Sequence, residues 1–288
     1  MIEVSRLADM RAWSRPERAA GRRVAFVPTM GYLHEGHLRL VDRARELADF
    51  VAVSIFVNPL QFGPTEDLSH YPRDLERDRT LARARGVDVL FVPAAADMYP
   101  GESVVRLDAG AMAQGLEGAA RPGHFAGVLT VVAKLFHVVE PDVAVFGRKD
   151  FQQAMLVRRM AADLDFPLRV EIAPTVRELD GLALSSRNTY LSPDDRRTAL
   201  ALSRCLREVE RAWRGGQADP VALRARGLEL LSVPGVGPEY LAFVDETMQA
   251  VGRVTQATIA VVAARVGATR LIDNVIMGEG VGADPTVR

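Results

Sequence analysis

Cysteine is nearly absent from the chain, and long apolar runs are missing altogether. Of the 288 residues, Cys205 alone carries a thiol, so no disulfide can form within the chain and a reducing compartment is expected. The longest apolar stretches, such as Phe50–Val57, are too short to span a bilayer. The charged N-terminal segment also lacks the apolar run of a secretory signal. We therefore expect a soluble, cytoplasmic protein with no membrane partner.

An excess of charge of one sign is missing too. The 36 Lys and Arg residues nearly balance the 37 Asp and Glu residues, and the net charge is −1. This balance supplies no general field for nucleic acid, so nucleic acid is not expected as a partner. Any anionic ligand must therefore be held by local positive charge.

Two familiar kinds of site are also lacking. The chain has no Gly-rich loop ending in Gly-Lys-Ser/Thr, which disfavours a kinase or a P-loop ATPase. It has no set of Cys and His residues of the kind that holds structural zinc. Cys205 lies in a helical pattern and is expected to be a small buried residue, not a nucleophile.

What the sequence does contain is an alternation of strand and helix patterns over roughly the first 175 residues. Short apolar runs predict buried strands, and helical spacing of apolar residues predicts the helices between them. This order predicts a Rossmann-like parallel sheet with helices on both faces, whose ligands bind at the carboxyl ends of strands. The predicted strands are Val24–Val27, Phe50–Val57, Val87–Val92 and Val143–Phe146, and the helices are Glu35–Asp49, Asp74–Arg85, Val128–Val139 and Phe151–Leu164.

The last hundred or so residues have a different character. Ser192 and Pro193 are typical of a helix start, and Gly215 is typical of its end, so a helix is predicted to run to Arg214. We predict a Rossmann-like domain over residues 1–186 and a smaller α+β domain over 187–288. The smaller domain is predicted to hold a second helix from Asp219-Pro220, a linker over Val233–Pro238, and strands Tyr240–Val244, Thr258–Ala263 and Leu271–Val275.

The most informative motif is Pro28–His37, which leaves a buried strand and enters a helix. Gly31 allows a close backbone approach, and the start of the helix offers unpaired N–H groups to an anion. His34 and His37 lie three residues apart, on one face of the first turn, where both can donate hydrogen bonds to phosphate oxygens. The alternatives for this pair are a zinc site and two surface histidines. The strand–glycine–helix context favours phosphate.

A second motif, Phe56–Gly63, leaves the next strand. Asn58 and Gln61 are neutral groups that can orient a hydroxyl or a carboxylate. The plain alternative is an ordinary loop of turn-forming residues. Elsewhere, His124 is expected in a turn before the apolar helix, and His137 is expected to be a packed side chain of that helix.

Two later motifs combine cations with small polar residues. In Phe146–Gln153, Lys149 can pair with a phosphate, Asp150 can hold a ribose hydroxyl or cap the helix, and Gln153 can face the substrate. In Leu184–Asn188, two hydroxyls stand beside an Arg that can bind a triphosphate bidentately. The alternatives are a solvated lysine, a plain helix cap and a polar interdomain loop.

Taken together and in this order, the motifs resemble the pantoate–β-alanine ligase (pantothenate synthetase) family of AMP-forming enzymes. His-x-Gly-His alone is shared with the wider nucleotidyltransferase superfamily, whereas the combination is much more specific. The likeness extends over almost the whole chain. The matching segments are Pro28–His37, Phe56–Gly63, Arg121–Gly127, Gly147–Gln153 and Ser185–Asn188.

The resemblance implies an ATP-dependent reaction in two steps, with Mg²⁺, a homodimer and a lid formed by the smaller domain. Pantoate would attack the α-phosphate to give pantoyl adenylate, and β-alanine would then displace AMP. Which side chains hold the metal is left open. The implied catalytic residues are His37, His34, Lys149, Ser185, Ser186 and Arg187. The implied pantoate and β-alanine contacts are Asn58, Gln61 and Gln153. The implied ATP contacts are Met30, Gly31, Tyr32, Leu33, His34, Glu35, Gly36, His37, Gly147, Arg148, Lys149, Asp150, Val176, Leu184, Ser185, Ser186 and Arg187.

The chain departs from the family pattern at two positions. Arg148 stands where Glu is usual, which reverses the charge beside Lys149. Leu184 stands where Met is usual, a change that approximately conserves volume. Two other functions stay open at this point. One is a nucleotidyltransferase acting on a phosphorylated acceptor, which would need its own basic cluster, and the other is a non-catalytic nucleotide sensor.

Overall fold

The protein divides into two compact units in a computed structural model that describes residues 1–64, 66, 68–101 and 104–282. The first unit comprises Met1–Arg148 and Gln152–Pro174, and the second comprises Lys149–Phe151 and the chain from Thr175 onward. The sequence prediction placed the boundary after residue 186. The segment between the two positions groups with the second unit because it includes Arg177, whose side chain pairs with Asp273 there.

The first unit contains a parallel sheet in the strand order β1-β4-β3-β2-β5-β6. Every residue from Val24 to Val27 is buried, as expected for a strand that is covered on both faces. The strands are β1 (Ile2–Val4), β2 (Val24–Thr29), β3 (Phe50–Ile55), β4 (Val89–Phe91), β5 (Val143–Gly147) and β6 (Arg169–Ala173).

Helices cover both faces of this sheet. On one face, Leu40, Val41 and Ala44 of α2 pack in a cluster with alternate residues of β2 and β3. On the other face, Phe136 of α6 meets Phe146 of β5 edge-on, with ring centroids 6.4 Å apart. The Rossmann-like prediction is confirmed. The helices are α1 (Leu7–Ala19), α2 (Glu35–Leu47), α3 (Leu75–Ala84), α4 (Ala95–Met98), α5 (Glu117–Ala120), α6 (His124–Val139) and α7 (Phe151–Asp163).

The second unit packs two helices with an antiparallel sheet in the order β7-β8-β9. Its long helix begins where predicted, since the Ser192 side chain accepts a hydrogen bond from the Asp195 N–H at 3.1 Å. Cys205 is fully buried in the core, as predicted, and burial raises the pKa of its thiol to about 12. The elements are α8 (Pro193–Arg214), α9 (Pro220–Leu231), β7 (Val236–Val244), β8 (Ile259–Val266) and β9 (Thr269–Ile276).

Some elements escaped the sequence prediction. Helix α1 was missed because it contains Pro16 and no side chain caps its start. Strands β1 and β6 were missed because each is short and lies at an edge of the sheet.

Three local expectations were wrong. The linker expected over Val233–Pro238 already contains the start of β7. His124 opens α6 and does not precede it. His137 is exposed, not packed in the core, because its position on α6 points to the surface, where it meets Phe166 at 5.0 Å between ring centroids. In the part of the chain that is described, no helix is both long enough and apolar enough to cross a bilayer.

Candidate active site

The turn that follows β2 is held by the Thr29 side chain at its start, which bonds to the backbone of the neighbouring strand. The Thr29 hydroxyl donates to the Ser54 carbonyl at 2.7 Å and accepts from the Gly31 N–H at 3.1 Å. Gly31 has a φ of +83°, and a Cβ there would lie 2.8 Å from Ile55. Glycine is therefore required at this position by both conformation and space.

A buried carboxylate on α3 fixes the next two residues of the same turn. Asp78 is 1% exposed, and its two oxygens accept from the N–H groups of Tyr32 and Leu33, each at 2.7 Å. Burial raises the pKa of Asp78, and the two backbone donors act in the opposite direction. These bonds hold Tyr32 at a φ of +51°, a conformation that is uncommon for a residue with a side chain. No local pattern pointed to this role, since Asp78 lies on a charged helix far along the chain.

The two histidines occupy the start of α2, as predicted. The His34 N–H donates to Nδ1 of His37 at 3.3 Å, and the two rings lie 4.1 Å apart between centroids. Because Nδ1 accepts, the proton of the neutral His37 ring is on Nε2, which is then the donor. Both side chains are half-buried. Across the described residues, no group of three His, Cys, Asp or Glu side chains is arranged to hold a metal ion.

The segment after β3 places a neutral amide pair beside the histidine turn. Asn58 donates to Oε1 of Gln61 at 3.1 Å and to the Gly127 carbonyl at 3.1 Å, and it accepts from the Tyr99 hydroxyl at 2.8 Å. Gln61 in turn donates to Sδ of Met30 at 3.0 Å. Both amides are at least nine-tenths buried. Asn58 therefore orients Gln61, and Tyr99, which the sequence did not point to, orients Asn58.

The first turn of α6 presses directly on this segment. A Cβ on Gly127 would lie 2.1 Å from the Leu60 carbonyl oxygen, so only glycine allows the approach. Arg121 lies 2.9 Å from Nε2 of His124, and because an arginine can only donate, Nδ1 of that ring donates to the Gln61 carbonyl at 2.8 Å. The segment Arg121–Gly127, noted in the sequence without a role, thus supports Gln61.

An ion pair anchors the same arginine. The Arg121 guanidinium donates to both carboxylate oxygens of Glu66, at 2.6 and 2.8 Å. This pairing is the main reason that the pKa of Glu66 is lowered to about 2. The positive charge of Arg121 is therefore compensated next to the Gln61 backbone.

The predicted residues after β5 have different environments. Gly147 ends the strand, and the half-buried Arg148 begins a short 3₁₀ turn. The Lys149 side chain is 19% exposed, with Nζ 3.7 Å from the more exposed Asp150 carboxylate. On α7, Gln153 is half-buried. Its neighbour Gln152, which the sequence did not single out, is buried and bonds to the backbone of Met112, Gly115 and Glu117.

The remaining predicted residues form a hairpin in the second unit. The Leu184 N–H donates to the Val176 carbonyl at 3.0 Å, and Arg177 and Ala183 form the adjoining bridge. The Ser185 hydroxyl then accepts from the Arg187 N–H at 3.2 Å and opens a 3₁₀ turn over Ser186–Tyr190. The structure thus groups the residues predicted to bind ATP into two sets. Met30 to His37 and Gly147–Arg148 lie in the first unit, whereas Lys149, Asp150, Val176 and Leu184 to Arg187 lie in the second.

Comparison with known proteins gives the relationship of the chain. The Pantoate-beta-alanine ligase family matches it over residues 3–276. The chain belongs to the pantoate–β-alanine ligase family. Among curated relatives, a pantothenate synthetase of Heliobacterium modesticaldum is 50% identical over 276 residues, covering 95% of this chain and 98% of the relative.

Solved relatives agree with this membership. The crystal structure of pantothenate synthetase from Thermus thermophilus is 49% identical, covers 96% of this chain and 99% of its own, and superposes with a TM-score of 0.91. A more distant ligase, from Francisella tularensis, was solved in complex with "Beta-gamma ATP" and β-alanine. It is 33% identical, with a TM-score of 0.82, and covers 98% of this chain and all of its own. As a member of this ligase family, the chain is an enzyme that joins pantoate to β-alanine to give pantothenate.

Proposed function

We propose that the chain makes pantothenate through an adenylate. A carboxylate oxygen of pantoate attacks the α-phosphorus of ATP, and the bond to pyrophosphate breaks. The amine of β-alanine then attacks the acyl carbon, the bond to AMP breaks, and the nitrogen loses a proton. The first attack needs no strong base because the carboxylate is already anionic, so catalysis depends on positioning and on neutralising phosphate charge.

The observation that carries this proposal is the neutral, buried amide pair beside the histidine turn. Gln61 contacts Asn58 and Met30 through its side chain, and none of these three is charged. Such a site suits a small hydroxy acid. A phosphorylated acceptor would need a basic cluster, and the nearby Arg121 is already paired with Glu66.

The proposal assigns each predicted residue a role. His34 and His37 bind phosphate oxygens, with Nε2–H of His37 as the donor where charge develops. Gln61, oriented by Asn58, binds pantoate and β-alanine, and Gln153 binds pantoate. Lys149, Ser185, Ser186 and Arg187 bind the outer phosphates. The remaining contacts to ATP come from Met30 to Leu33, Glu35, Gly36, Gly147, Arg148, Asp150, Val176 and Leu184.

The proposed substrates include ATP and β-alanine, the ligands of the Francisella relative. Mg²⁺ would enter with ATP, because it commonly binds substrate phosphates and only one or two carboxylates. The exposed carboxylate of Asp150, next to Lys149, is available as one such oxygen ligand. When bound, Mg²⁺ would neutralise phosphate charge.

The test is exchange of labelled pyrophosphate into ATP. With pantoate and Mg²⁺ but without β-alanine, we expect rapid exchange, and chelation of Mg²⁺ should abolish it. Exchange that requires β-alanine would contradict the adenylate, and the absence of exchange with pantoate would overturn the proposal. A phosphorylated hydroxy acid serves as the control acceptor, and exchange with it alone would favour the nucleotidyltransferase.

We also infer a cytoplasmic homodimer, as the family resemblance implies. Light scattering on the purified chain should give twice the chain mass of 31.4 kDa. A single-chain mass at assay concentrations would contradict the dimer, and recovery in a membrane fraction would contradict the location.

A further inference from the structure

Lys149 groups with a different unit from the strand that precedes it in the chain. β5 ends at Gly147, and Arg148 still belongs to the first unit, yet Lys149–Phe151 groups with the second unit before the chain returns to the first at Gln152. The backbone of these three residues therefore has close neighbours in the second unit.

That contact comes from β9. The side-chain amide of Asn274 donates to the backbone carbonyl of Lys149 at 2.8 Å. Asn274 is 4% exposed and Lys149 is half-buried, so the donor side of this hydrogen bond is shielded from water. A hydrogen bond from a buried donor to a backbone carbonyl restricts the position from which the side chain of that residue extends.

The orientation of Asn274 is fixed by a buried ion pair. Its own N–H donates to Asp273 at 2.7 Å, and its carbonyl accepts from Arg177 at 3.2 Å. Arg177 and Asp273 are joined by two hydrogen bonds of 2.6 and 2.7 Å, and both side chains are less than 5% exposed. The ion pair thus binds both the N–H and the carbonyl of the Asn274 backbone.

The same strand supports the other cationic segment. β9 contacts the 3₁₀ turn Ser186–Tyr190 that carries Arg187. The turn is closed by Asn188, which donates to the carbonyls of Ser185 and Ala183 at 3.0 and 3.1 Å. β9 therefore contacts both Lys149 and the turn that carries Arg187, the two cationic segments that the proposed function assigns to the outer phosphates.

We propose that Asn274 is a positioning residue that sets Lys149 for the phosphates of ATP, so that the second unit carries Lys149 and Arg187 as one phosphate-binding group. This inference rests on the proposed function. Asn274 touches no substrate in this scheme and acts only through the Lys149 backbone.

The test measures pyrophosphate exchange for Asn274→Asp and Asn274→Ala, which remove the amide donor. We expect the KM for ATP to rise about fivefold, the size of one lost hydrogen bond, with the KM for pantoate unchanged within about twofold. Thr269→Val is the matched control, because Thr269 is also buried and lies at the other end of β9.

A double-variant cycle separates positioning from general damage. If Asn274 acts through Lys149, adding Asn274→Ala to Lys149→Gln should raise the KM for ATP no further. Multiplying effects, or equal rises in both KM values, would overturn the inference. If the wild type is active and the Asn274 variants have its KM for ATP, the inference is overturned as well. The proposed function would then be unaffected. A wild type without exchange would instead count against the proposed function.

Discussion

The two units hold their candidate ligand-binding residues by different means. In the first unit, the Asp78 carboxylate accepts from two backbone N–H groups of the histidine turn, and Gln61 is held by the neutral Asn58 amide and by the close approach of Gly127. The Arg121–Glu66 ion pair reaches Gln61 only through its backbone carbonyl. In the second unit, Lys149 and the Ser186–Tyr190 turn rest on β9 and on the buried Arg177–Asp273 pair. The Gln61 side chain itself contacts only neutral groups, which suits the small substrate proposed for it. The buried Arg177–Asp273 pair supports segments whose cations are proposed to bind the phosphates of ATP.

The largest effect is expected from breaking the buried Arg177–Asp273 ion pair. Asp273→Ala leaves the Arg177 guanidinium buried without its carboxylate, which should destabilise the second unit by about 3–5 kcal/mol. Urea unfolding can be followed in a Trp13→Phe background, where Trp213 of α8 reports on the second unit alone. Arg197→Ala is the control, since it breaks an exposed pair with Asp194 and should cost less than about 1 kcal/mol. Equal losses in the free energy of unfolding for Asp273→Ala and Arg197→Ala would contradict this prediction.

The next effect is on chemistry in the first unit. His37→Ala removes the proposed donor to the phosphates, so kcat should fall about a hundredfold. Because His37 is only half-buried, the unfolding temperature should change little. Steady-state pantothenate formation measures the first quantity and thermal unfolding the second. Turnover close to wild type would take His37 out of the mechanism.

A pair of glycine variants sharpens the claim that Gln61 is positioned by packing. Gly127→Ala must push the Leu60–Gln61 backbone away, so kcat/KM for pantoate should fall about ten- to hundredfold. Gly147→Ala is the matched case, because its Cβ would meet nothing nearer than Leu40 at 3.9 Å. A fall in kcat/KM for Gly147→Ala would therefore report the proposed close approach of ATP to this glycine. Unchanged pantoate kinetics in Gly127→Ala would show that the contact is dispensable.

The smallest effect concerns pH. The pKa of Glu66 is about 2 in the folded protein against 4.5 for an ordinary glutamate, so its pairing with Arg121 stabilises the fold above pH 4.5. That contribution should be lost as the pH falls from 4.5 towards 2. Unfolding temperatures of wild type and Glu66→Gln, read from Trp13, should therefore differ by a few degrees above this range and converge below it. Parallel curves would contradict the assignment.

The sequence predicted the parts of the molecule that local patterns control. Buried strands such as Val24–Val27 are apolar throughout, so the apolar pattern located them. The start of α8 was located by its capping residue Ser192 and the adjacent Pro193. Helix α1 and strand β6 lack such patterns, since one contains a proline and the other alternates charged and apolar residues at a sheet edge. They form because packing and pairing with distant parts of the chain outweigh local preference.

Three motifs of the candidate site could be identified one by one because each joins a strand end to a turn or helix start, whereas the Leu184–Asn188 motif follows an isolated bridge. The sequence alone therefore determined the parallel sheet, and it supplied the residues that are proposed to carry the chemistry. Tertiary structure decided what holds those residues in place. Asp78, Tyr99, Gly127 and Asn274 each act on a residue far away in the chain, and no local spacing encodes such a contact. It also decided that Lys149 groups with the second unit, where the Asn274 side chain of β9 donates to its backbone carbonyl.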